Sequence, residues 1–195
     1  MLPPNSNLFQ VEGSASLSCN RFTILGSGHD IWDPADAFHF VFKTIQSNST
    51  TIAARVVDVT DTSPWAKAGV MIRQSLDAVS AHAMVVLTPE MGVAFQFRPA
   101  SGANMTHVPA NVAINPAKPF AWVRLKRVAQ GGGFGFTGFV SLDGITWQQI
   151  GEPVQITMTG AALAGMAVTA HNDPPSAKDR LDELCVALID NVRVQ

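Results

Sequence analysis

Three apolar-rich runs between residues 63 and 98 alternate with a period of two. They cover residues 70–73, 83–88 and 93–98, and a turn segment separates each run from the next. Successive side chains of a strand point to opposite faces, so this pattern predicts an antiparallel β-meander with one buried face. We expect Val70 and Ile72 to face the core, and the opposite face to carry Arg73, Gln96 and Arg98.

Strand-like alternation continues along the rest of the chain, and a helical period of 3.6 residues persists almost nowhere. Phe38, Phe40 and Phe42 share one face of a predicted strand, which we interpret as a core face. Further strands are predicted at residues 9–11, 14–19, 22–25, 37–44, 52–59, 106–108, 120–128, 134–142, 146–149, 154–158, 163–170 and 186–194. These short strands at hairpin spacing predict an all-β, two-sheet antiparallel β-sandwich.

The composition indicates one globular domain. The chain has 195 residues, of which 47% are hydrophobic and 14% charged, so we expect a single domain over 1–195 with residues 1–7 as a flexible lead-in. A net charge of -2 without a basic stripe argues against nucleic acid as a partner. No apolar run reaches the roughly 18 residues of a membrane span, so no membrane partner is predicted. The start lacks signal-peptide features, which predicts a cytoplasmic protein as written, or an extracellular one if the domain is cut from a longer secreted chain.

The two cysteines leave two interpretations open. Cys19 and Cys185 lie near opposite ends of the chain, and no CxxC motif is present. They are either two free buried thiols, or a disulfide that ties the first strand to the last in an oxidising compartment. Two cysteines alone cannot provide four metal ligands.

Several motifs occur in one order along nearly the whole chain. They are DIW at 30–32, DAFHF at 36–40, PWAKAGVMIR at 64–73, GVAFQFR at 92–98, SLDGITW at 141–147 and GMAVTAHN at 165–172. On these motifs the chain resembles a bacterial family of concanavalin A-like, laminin-G-like β-sandwich domains, which includes proteins labelled enolase-regulation-like. The resemblance implies a jelly-roll topology. Related jelly rolls include lectins and glucanases, so carbohydrate binding follows by analogy.

Patterns that would indicate catalysis are missing from the sequence. Jelly-roll glucanases need two carboxylates across a cleft, and none of the four glutamates has a suitably spaced acidic partner. A Gly-x-Ser-x-Gly elbow and His-rich metal motifs are also absent. We therefore predict that the domain is not an enzyme.

The remaining candidate chemistry is ligand binding. The polar face of the meander is either a solvated surface or the floor of a glycan site, and in the second case the predicted ligand-binding residues are Arg73, His82, Gln96, Arg98 and Trp32. We expect Trp65 and Trp147 to serve in packing. The carboxylates of Asp30, Asp33, Asp36 and Asp190 either cap turns or hold a structural calcium ion.

These observations favour a noncatalytic, lectin-like carbohydrate-binding module. The alternative is a structural or protein-interaction domain without a small ligand, and a glycoside hydrolase is the least favoured interpretation. The sequence does not indicate the oligomeric state.

Overall fold

Every regular element of the described residues is a β-strand, as the sequence predicts. The computed structural model describes residues 13–33, 35–115, 117, 120–172 and 184–195. The predicted lead-in at 1–7 and the predicted strand at 9–11 lie outside the described residues. No helix in the described ranges is long and apolar enough to cross a membrane. The strands are β1 (Ser14–Ser18), β2 (Arg21–Gly26), β3 (His39–Ile45), β4 (Ser49–Val59), β5 (Lys67–Arg73), β6 (His82–Leu87), β7 (Val93–Arg98), β8 (Thr106–Pro109), β9 (Ala121–Gln130), β10 (Gly133–Ser141), β11 (Gln148–Ile156), β12 (Ala162–Thr169) and β13 (Cys185–Val194).

The strands form two antiparallel sheets. The seven-stranded sheet has the order β1-β2-β13-β4-β9-β10-β11, and the six-stranded sheet has the order β3-β12-β5-β6-β7-β8. Their inner faces enclose one apolar core that contains Ile24, Val70, Val85, Phe95 and Val123, all 0% exposed. Each sheet therefore also has an outer face, which is turned away from the partner sheet.

The predicted meander is confirmed. Strands β5, β6 and β7 are consecutive neighbours in the six-stranded sheet. Val70 pairs with Val85, and Val85 pairs with Phe95, so these three side chains form one inward-facing row. The residues between them in sequence point to the outer face, because side chains alternate along a strand.

The prediction that three phenylalanines face the core is wrong. In β3 it is Val41 and Ile45 that pack against the inter-sheet core. Phe38 and Phe40 lie on the outer face of the six-stranded sheet, where they join a second apolar cluster with Met71, Met84, Val86, Ala167 and Ile31. Apolar residues therefore occupy both faces of this sheet, and periodicity alone cannot tell which face meets the other sheet.

The two strands predicted at 146–149 and 154–158 are one strand, β11. Its pairing with β10 shifts register between Phe136 and Gly138, where β11 has extra residues. Gly151 lies in this bulge with a φ of 62°, a conformation that glycine adopts without a steric penalty. Gly151 and Pro153 are residue types typical of turns, so the sequence predicts a break here, although the strand continues through both positions.

The two cysteines are free thiols, so the disulfide alternative does not hold. Cys185 pairs with Gly26 at one end of β2, whereas Cys19 lies in the turn beyond the other end of that strand, two residues before Arg21. Five residues of extended strand separate the two ends, a distance of roughly 17 Å. Cys185 is buried as expected, and burial raises the pKa of its thiol to about 12, whereas Cys19 is exposed.

Candidate functional site

The loop formed by residues 27–33 and 35–38 crosses the outer face of the six-stranded sheet. The Asp36 amide donates to the Ala78 carbonyl at 3.0 Å, and the Ala37 amide donates to the Asp30 carbonyl at 2.8 Å. The Thr169 hydroxyl donates to the Gly28 carbonyl at 3.0 Å, which fixes the loop to β12. The loop therefore covers part of the face that the alternation pattern predicts to be polar.

Beneath this loop lies a buried ionic cluster of Asp36, Arg73, His82 and Arg98, here called the Asp36 cluster. The Arg98 guanidinium donates two hydrogen bonds to the Asp36 carboxylate, with N···O distances of 2.8 and 2.7 Å. Arg73 Nη2 lies 3.3 Å from Asp36 Oδ2, and the Asp36 side chain is 0% exposed. A bidentate guanidinium–carboxylate pair has the geometry of a strong charge-assisted interaction.

Burial shifts the pKa values of both Asp36 and His82 in the Asp36 cluster. Burial raises the pKa of Asp36, while the guanidinium groups of Arg98 and Arg73 act in the opposite direction. Burial lowers the pKa of His82 to about 3, so its imidazole is neutral at pH 7. His82 Nδ1 therefore carries the hydrogen that it donates to the Ser80 carbonyl at 3.1 Å. The Asp36 carboxylate thus contacts two buried guanidinium groups at once.

The structure brings Arg73, His82 and Arg98 together, as the sequence suggests, but it buries them. Their exposures are 1%, 0% and 0%. Arg98 also donates to the carbonyls of Trp32 and Asp33, and Arg73 donates to the carbonyls of Ser75 and Asp77 at 2.6 Å each. These side chains hold two loops on the sheet and do not face an open groove.

An open groove of about 310 Å³ lies next to the Asp36 cluster on the same outer face. Its walls come from the covering loop, from the turn before β5, and from β5, β7, β8 and the segment after β12. We call it the ring-lined groove, and it is formed by Asp30, Trp32, Trp65, Lys67, Gln96, His107 and His171. Of the residues predicted to bind ligand, Trp32 and Gln96 are therefore found at the groove.

Three half-buried rings define its shape. The Trp65 and His107 ring centroids are 5.9 Å apart at 75°, and those of Trp32 and His107 are 6.4 Å apart at 64°. Gln96 Nε2 lies 2.8 Å from His107 Nδ1. Burial, together with the nearby Lys67 cation, lowers the pKa of His107, so its neutral Nδ1 accepts this hydrogen bond. The Oε1 atom of Gln96 is buried and has no partner in the described part of the chain.

A second ion pair supports the other wall of the groove. The Lys67 ammonium contacts the Asp30 carboxylate and also donates to the Trp65 carbonyl at 3.1 Å. His171 Nε2 lies 3.1 Å from Asp30 Oδ2. Burial lowers the pKa of Lys67, and the Asp30 carboxylate opposes that shift. Asp30 therefore has two basic partners inside the protein.

The four aspartates predicted as calcium ligands are not brought together. Asp30 and Asp36 face Lys67 and Arg98, and Asp33 is exposed. Asp190 lies on the outer face of the other sheet, where it accepts bonds from Arg55 at 2.7 and 2.6 Å. Within the described ranges, no group of three or more His, Cys, Asp or Glu side chains is arranged to hold a metal ion.

The Asp190 pair leads to a prediction about acid stability. The Arg55 guanidinium holds the pKa of Asp190 at about 2, below the ordinary value of about 3.9. A lowered pKa contributes stability that is present above about pH 4 and is lost as the pH falls through about 2. We expect Asp190→Asn to lower the free energy of unfolding by about 1–2 kcal/mol at pH 7, because the partly exposed arginines weaken the pair through solvent screening.

Denaturant titrations between pH 2 and pH 7 measure this effect. The stability difference between wild type and Asp190→Asn should be constant above about pH 4 and should shrink toward pH 2. The matched control is Asp61→Asn, since Asp61 is exposed. A difference that persists unchanged at pH 2 would contradict the assigned pKa.

Comparison with known proteins places the fold. No family model matches the chain, and no curated protein matches its sequence. A protein of unknown function from Saccharomyces cerevisiae has a similar structure, with a TM-score of 0.66, 15% identity, and coverage of 93% of this chain and 91% of that one. Lectin I-B4 from Griffonia simplicifolia gives a TM-score of 0.59 at 9% identity, with coverage of 94% and 91%. The fold is a lectin-like β-sandwich.

A longer glycan-active protein contains the same fold. Xylan β-1,4-xylosidase from Bacillus halodurans gives a TM-score of 0.54 at 14% identity and covers 97% of this chain. The chain spans about 40% of that xylosidase. At such low identities the likeness establishes a shared architecture, whereas the chemistry has to be argued from the residues of this chain.

Sequence reasoning missed four groove residues: Trp65, Lys67, His107 and His171. Trp65 and Lys67 are two positions apart in the motif PWAKAG, so an extended chain there directs both to one side. That spacing could have indicated that Trp65 and Lys67 lie on the same side of the chain. His107 lies opposite Gln96 only because β8 pairs with β7 in one particular register, which the weak alternation of β8 does not reveal.

Proposed function

We propose that this protein is a noncatalytic carbohydrate-binding domain, and that the glycan binds in the ring-lined groove. The observation that carries this proposal is the juxtaposition of Trp32, Trp65 and His107 around the buried amide of Gln96. Aromatic rings beside planar hydrogen-bonding groups suit sugars, whose rings have apolar faces and hydroxyl edges. A groove of about 310 Å³ is at the lower end of the range for ligand sites.

The polar groups of the groove complement hydroxyl groups. Gln96 Oε1 lacks a partner among the described residues, and a buried carbonyl in that state costs free energy. A sugar hydroxyl would remove this cost once a rotation of the buried Gln96 side chain turns Oε1 toward the groove. Because Asp30 and Lys67 already pair with each other, a neutral ligand meets no uncompensated charge there.

The number of carboxyl groups in the groove favours ligand binding over hydrolysis. Glycoside hydrolysis needs two carboxyl groups on opposite sides of the scissile bond. Asp30 is the one carboxylate among the described residues that line the groove, and it is engaged by Lys67 and His171. We therefore assign no catalytic role to these residues.

The finer classification follows the sequence resemblance. We infer that the chain is a concanavalin A-like domain of the laminin-G-like, enolase-regulation-like type. The lectin-like fold and the occurrence of the same architecture in a xylosidase support a glycan as its partner.

Replacing Trp65 by alanine tests the proposal. We expect wild type to be retarded in native gels that contain soluble xylan, galactomannan or β-glucan, and Trp65→Ala to bind the retarding polysaccharide about tenfold more weakly. The loss of one stacked ring corresponds to about 1.4 kcal/mol. The control is Phe42→Ala, because Phe42 is an exposed ring outside the groove on the same outer face.

The polysaccharide affinity of each variant is compared with that of wild type. Thermal unfolding of both variants verifies that they are folded. If Trp65→Ala binds as tightly as wild type, the ligand does not occupy this groove. If wild type binds none of these polysaccharides and none of the glycans on an array, the alternative of a structural or protein-interaction domain is favoured.

A further inference from the structure

A second groove lies on the opposite side of the molecule, on the outer face of the seven-stranded sheet. Its volume is about 270 Å³, and its walls include Ala53, Trp122, Arg124, Trp147 and Arg193. We call it the Arg124 groove. Strands β4, β9 and β13 form its floor, and the turn before β11 forms one side. It is separated from the ring-lined groove by the thickness of the sandwich.

The strand register creates a gap between two arginines. Arg193 pairs with Ala53, and Ala53 pairs with Arg124, so the three side chains form one row across the outer face. Neighbouring strands are about 4.8 Å apart, which puts the two arginine backbones about 10 Å apart. The short methyl group of Ala53 fills little of the space between them.

The guanidinium group of Arg124 is held by aromatic rings. Its central carbon lies 4.1 Å from the ring centroid of Trp147 and 4.4 Å from that of Phe139. Burial by these rings lowers the pKa of Arg124, although an arginine remains charged at neutral pH. Among the described residues these ring contacts are not accompanied by any hydrogen-bond acceptor for the guanidinium N–H groups.

Neither arginine of the row has an acceptor among the described residues, whereas two other arginines of this sheet do. Arg55 is paired with Asp190, and Arg127 donates to the carbonyls of Thr159 and Gly160 at 2.7 and 3.0 Å. In the described ranges, no hydrogen bond or ion pair involves Arg124 or Arg193. Arg124 is partly desolvated and has no anionic partner among the described residues, so a bound anion would offset part of its desolvation cost, and the exposed Arg193 would add a second donor.

We propose that the Arg124 groove binds the carboxylate-bearing sugar of an acidic polysaccharide, a uronic acid residue. The carboxylate lies above Ala53 and accepts hydrogen bonds from Arg124 and Arg193. The sugar ring lies beside Trp122, whose indole also contacts the Arg55 guanidinium. The turn at Gly144 stands close to that indole, since a Cβ atom there would lie 2.7 Å from the Trp122 ring. The turn and the ring together form a wall for the sugar.

A glycan fits this groove better than a nucleic acid does. Nucleic-acid surfaces need an extended basic track along the phosphate backbone, whereas this protein has a net charge of -2. The Arg124 groove instead has two arginines at a single location. The same net negative charge means that binding of a polyanion requires a local site rather than general attraction.

Calorimetric titration with a short oligogalacturonate tests the proposal. We expect wild type to bind this probe and the neutral methyl ester of the same oligosaccharide to bind at least tenfold more weakly. Arg124→Gln and Arg193→Gln should each reduce affinity for the acid at least tenfold. Arg193 is exposed, so its substitution leaves folding intact even if Arg124→Gln does not fold. Lys43→Gln removes one exposed charge from the other sheet and should change affinity less than twofold.

The alternative outcomes overturn the proposal. In the first, wild type fails to bind the oligogalacturonate, or binds the acid and its methyl ester with equal affinity. In the second, Lys43→Gln loses as much affinity for the acid as Arg124→Gln does. In the third, a single-stranded oligonucleotide binds more tightly than the oligogalacturonate in a way that depends on Arg124. Trp65→Ala should bind the oligogalacturonate like wild type. That variant therefore distinguishes a failure of this site from a failure of the ring-lined groove.

Discussion

Replacing Asp36 by asparagine should lower the free energy of unfolding by about 3–5 kcal/mol. The substitution removes the carboxylate that both buried guanidinium groups, those of Arg98 and Arg73, contact. Asparagine keeps the size of the side chain but not its charge, so two cations are left desolvated. Removing one partner of a buried pair is strongly destabilising for this reason, even where the intact pair contributes little net stability. Denaturant unfolding followed by tryptophan fluorescence measures the change.

The control for Asp36→Asn is Asp33→Asn. Asp33 belongs to the same loop and has the same chemistry, but it is exposed, and it contacts Arg98 through its backbone carbonyl. We expect its substitution to change the unfolding free energy by less than about 0.5 kcal/mol. A loss below about 1 kcal/mol in Asp36→Asn would contradict the structural role of the cluster.

This cluster also affects the ring-lined groove. Arg98 helps to hold Trp32 in place, because it donates to the Trp32 carbonyl at 3.2 Å while it binds Asp36. Loosening the loop should therefore also move the Trp32 indole away from His107. The buried arginines thus contribute indirectly to the proposed glycan site, because they place one of its aromatic walls.

The meander could be predicted because the alternation that identifies its strands is contained within each short sequence segment. A period of two fixes which residues share a face, and the structure confirms the faces of β5, β6 and β7. Periodicity does not state what covers a face. Arg98 was therefore assigned to an open surface, although a distant loop buries it, and Phe40 was assigned to the wrong side of its sheet.

Long-range register explains most of the remaining differences. Whether Cys19 and Cys185 can bond depends on which end of β2 each one approaches, and that is decided by the pairing of β2 with β13. Likewise, the Arg124 groove exists because Arg193, Ala53 and Arg124 align across three strands that are far apart in sequence. Alternation within a strand contains no information about such alignment.

The two outer faces differ in the charges that they leave uncompensated. In the ring-lined groove the charges of Lys67 and Asp30 compensate each other. In the Arg124 groove neither Arg124 nor Arg193 has a partner of opposite charge among the described residues, although aromatic rings flank Arg124. If both proposals hold, one face selects neutral sugars and the other selects acidic ones, which would let a single domain contact a mixed polysaccharide on two sides.

Replacing Phe95 by alanine should destabilise the fold by about 3–5 kcal/mol through a cavity between the sheets. Phe95 is 0% exposed and extends from β7 toward β10. It fits there because position 138 is glycine: a Cβ atom at Gly138 would lie 2.8 Å from Phe95 Cγ and 3.0 Å from Val85 Cγ2. Gly138→Ala should therefore cost about 1–3 kcal/mol by overpacking, since the base of the Phe95 ring cannot swing away.

The double variant makes the test specific to this contact. In Phe95→Ala/Gly138→Ala the new methyl group enters the space that the ring vacated, so the combined loss should be smaller than the sum of the single losses by about 0.5–3 kcal/mol. Val56→Ala with Gly138→Ala is the control pair, because Val56 is equally buried but is not among the near neighbours of position 138. Additivity in both pairs would mean that the ring and the glycine do not share the space that joins the two sheets.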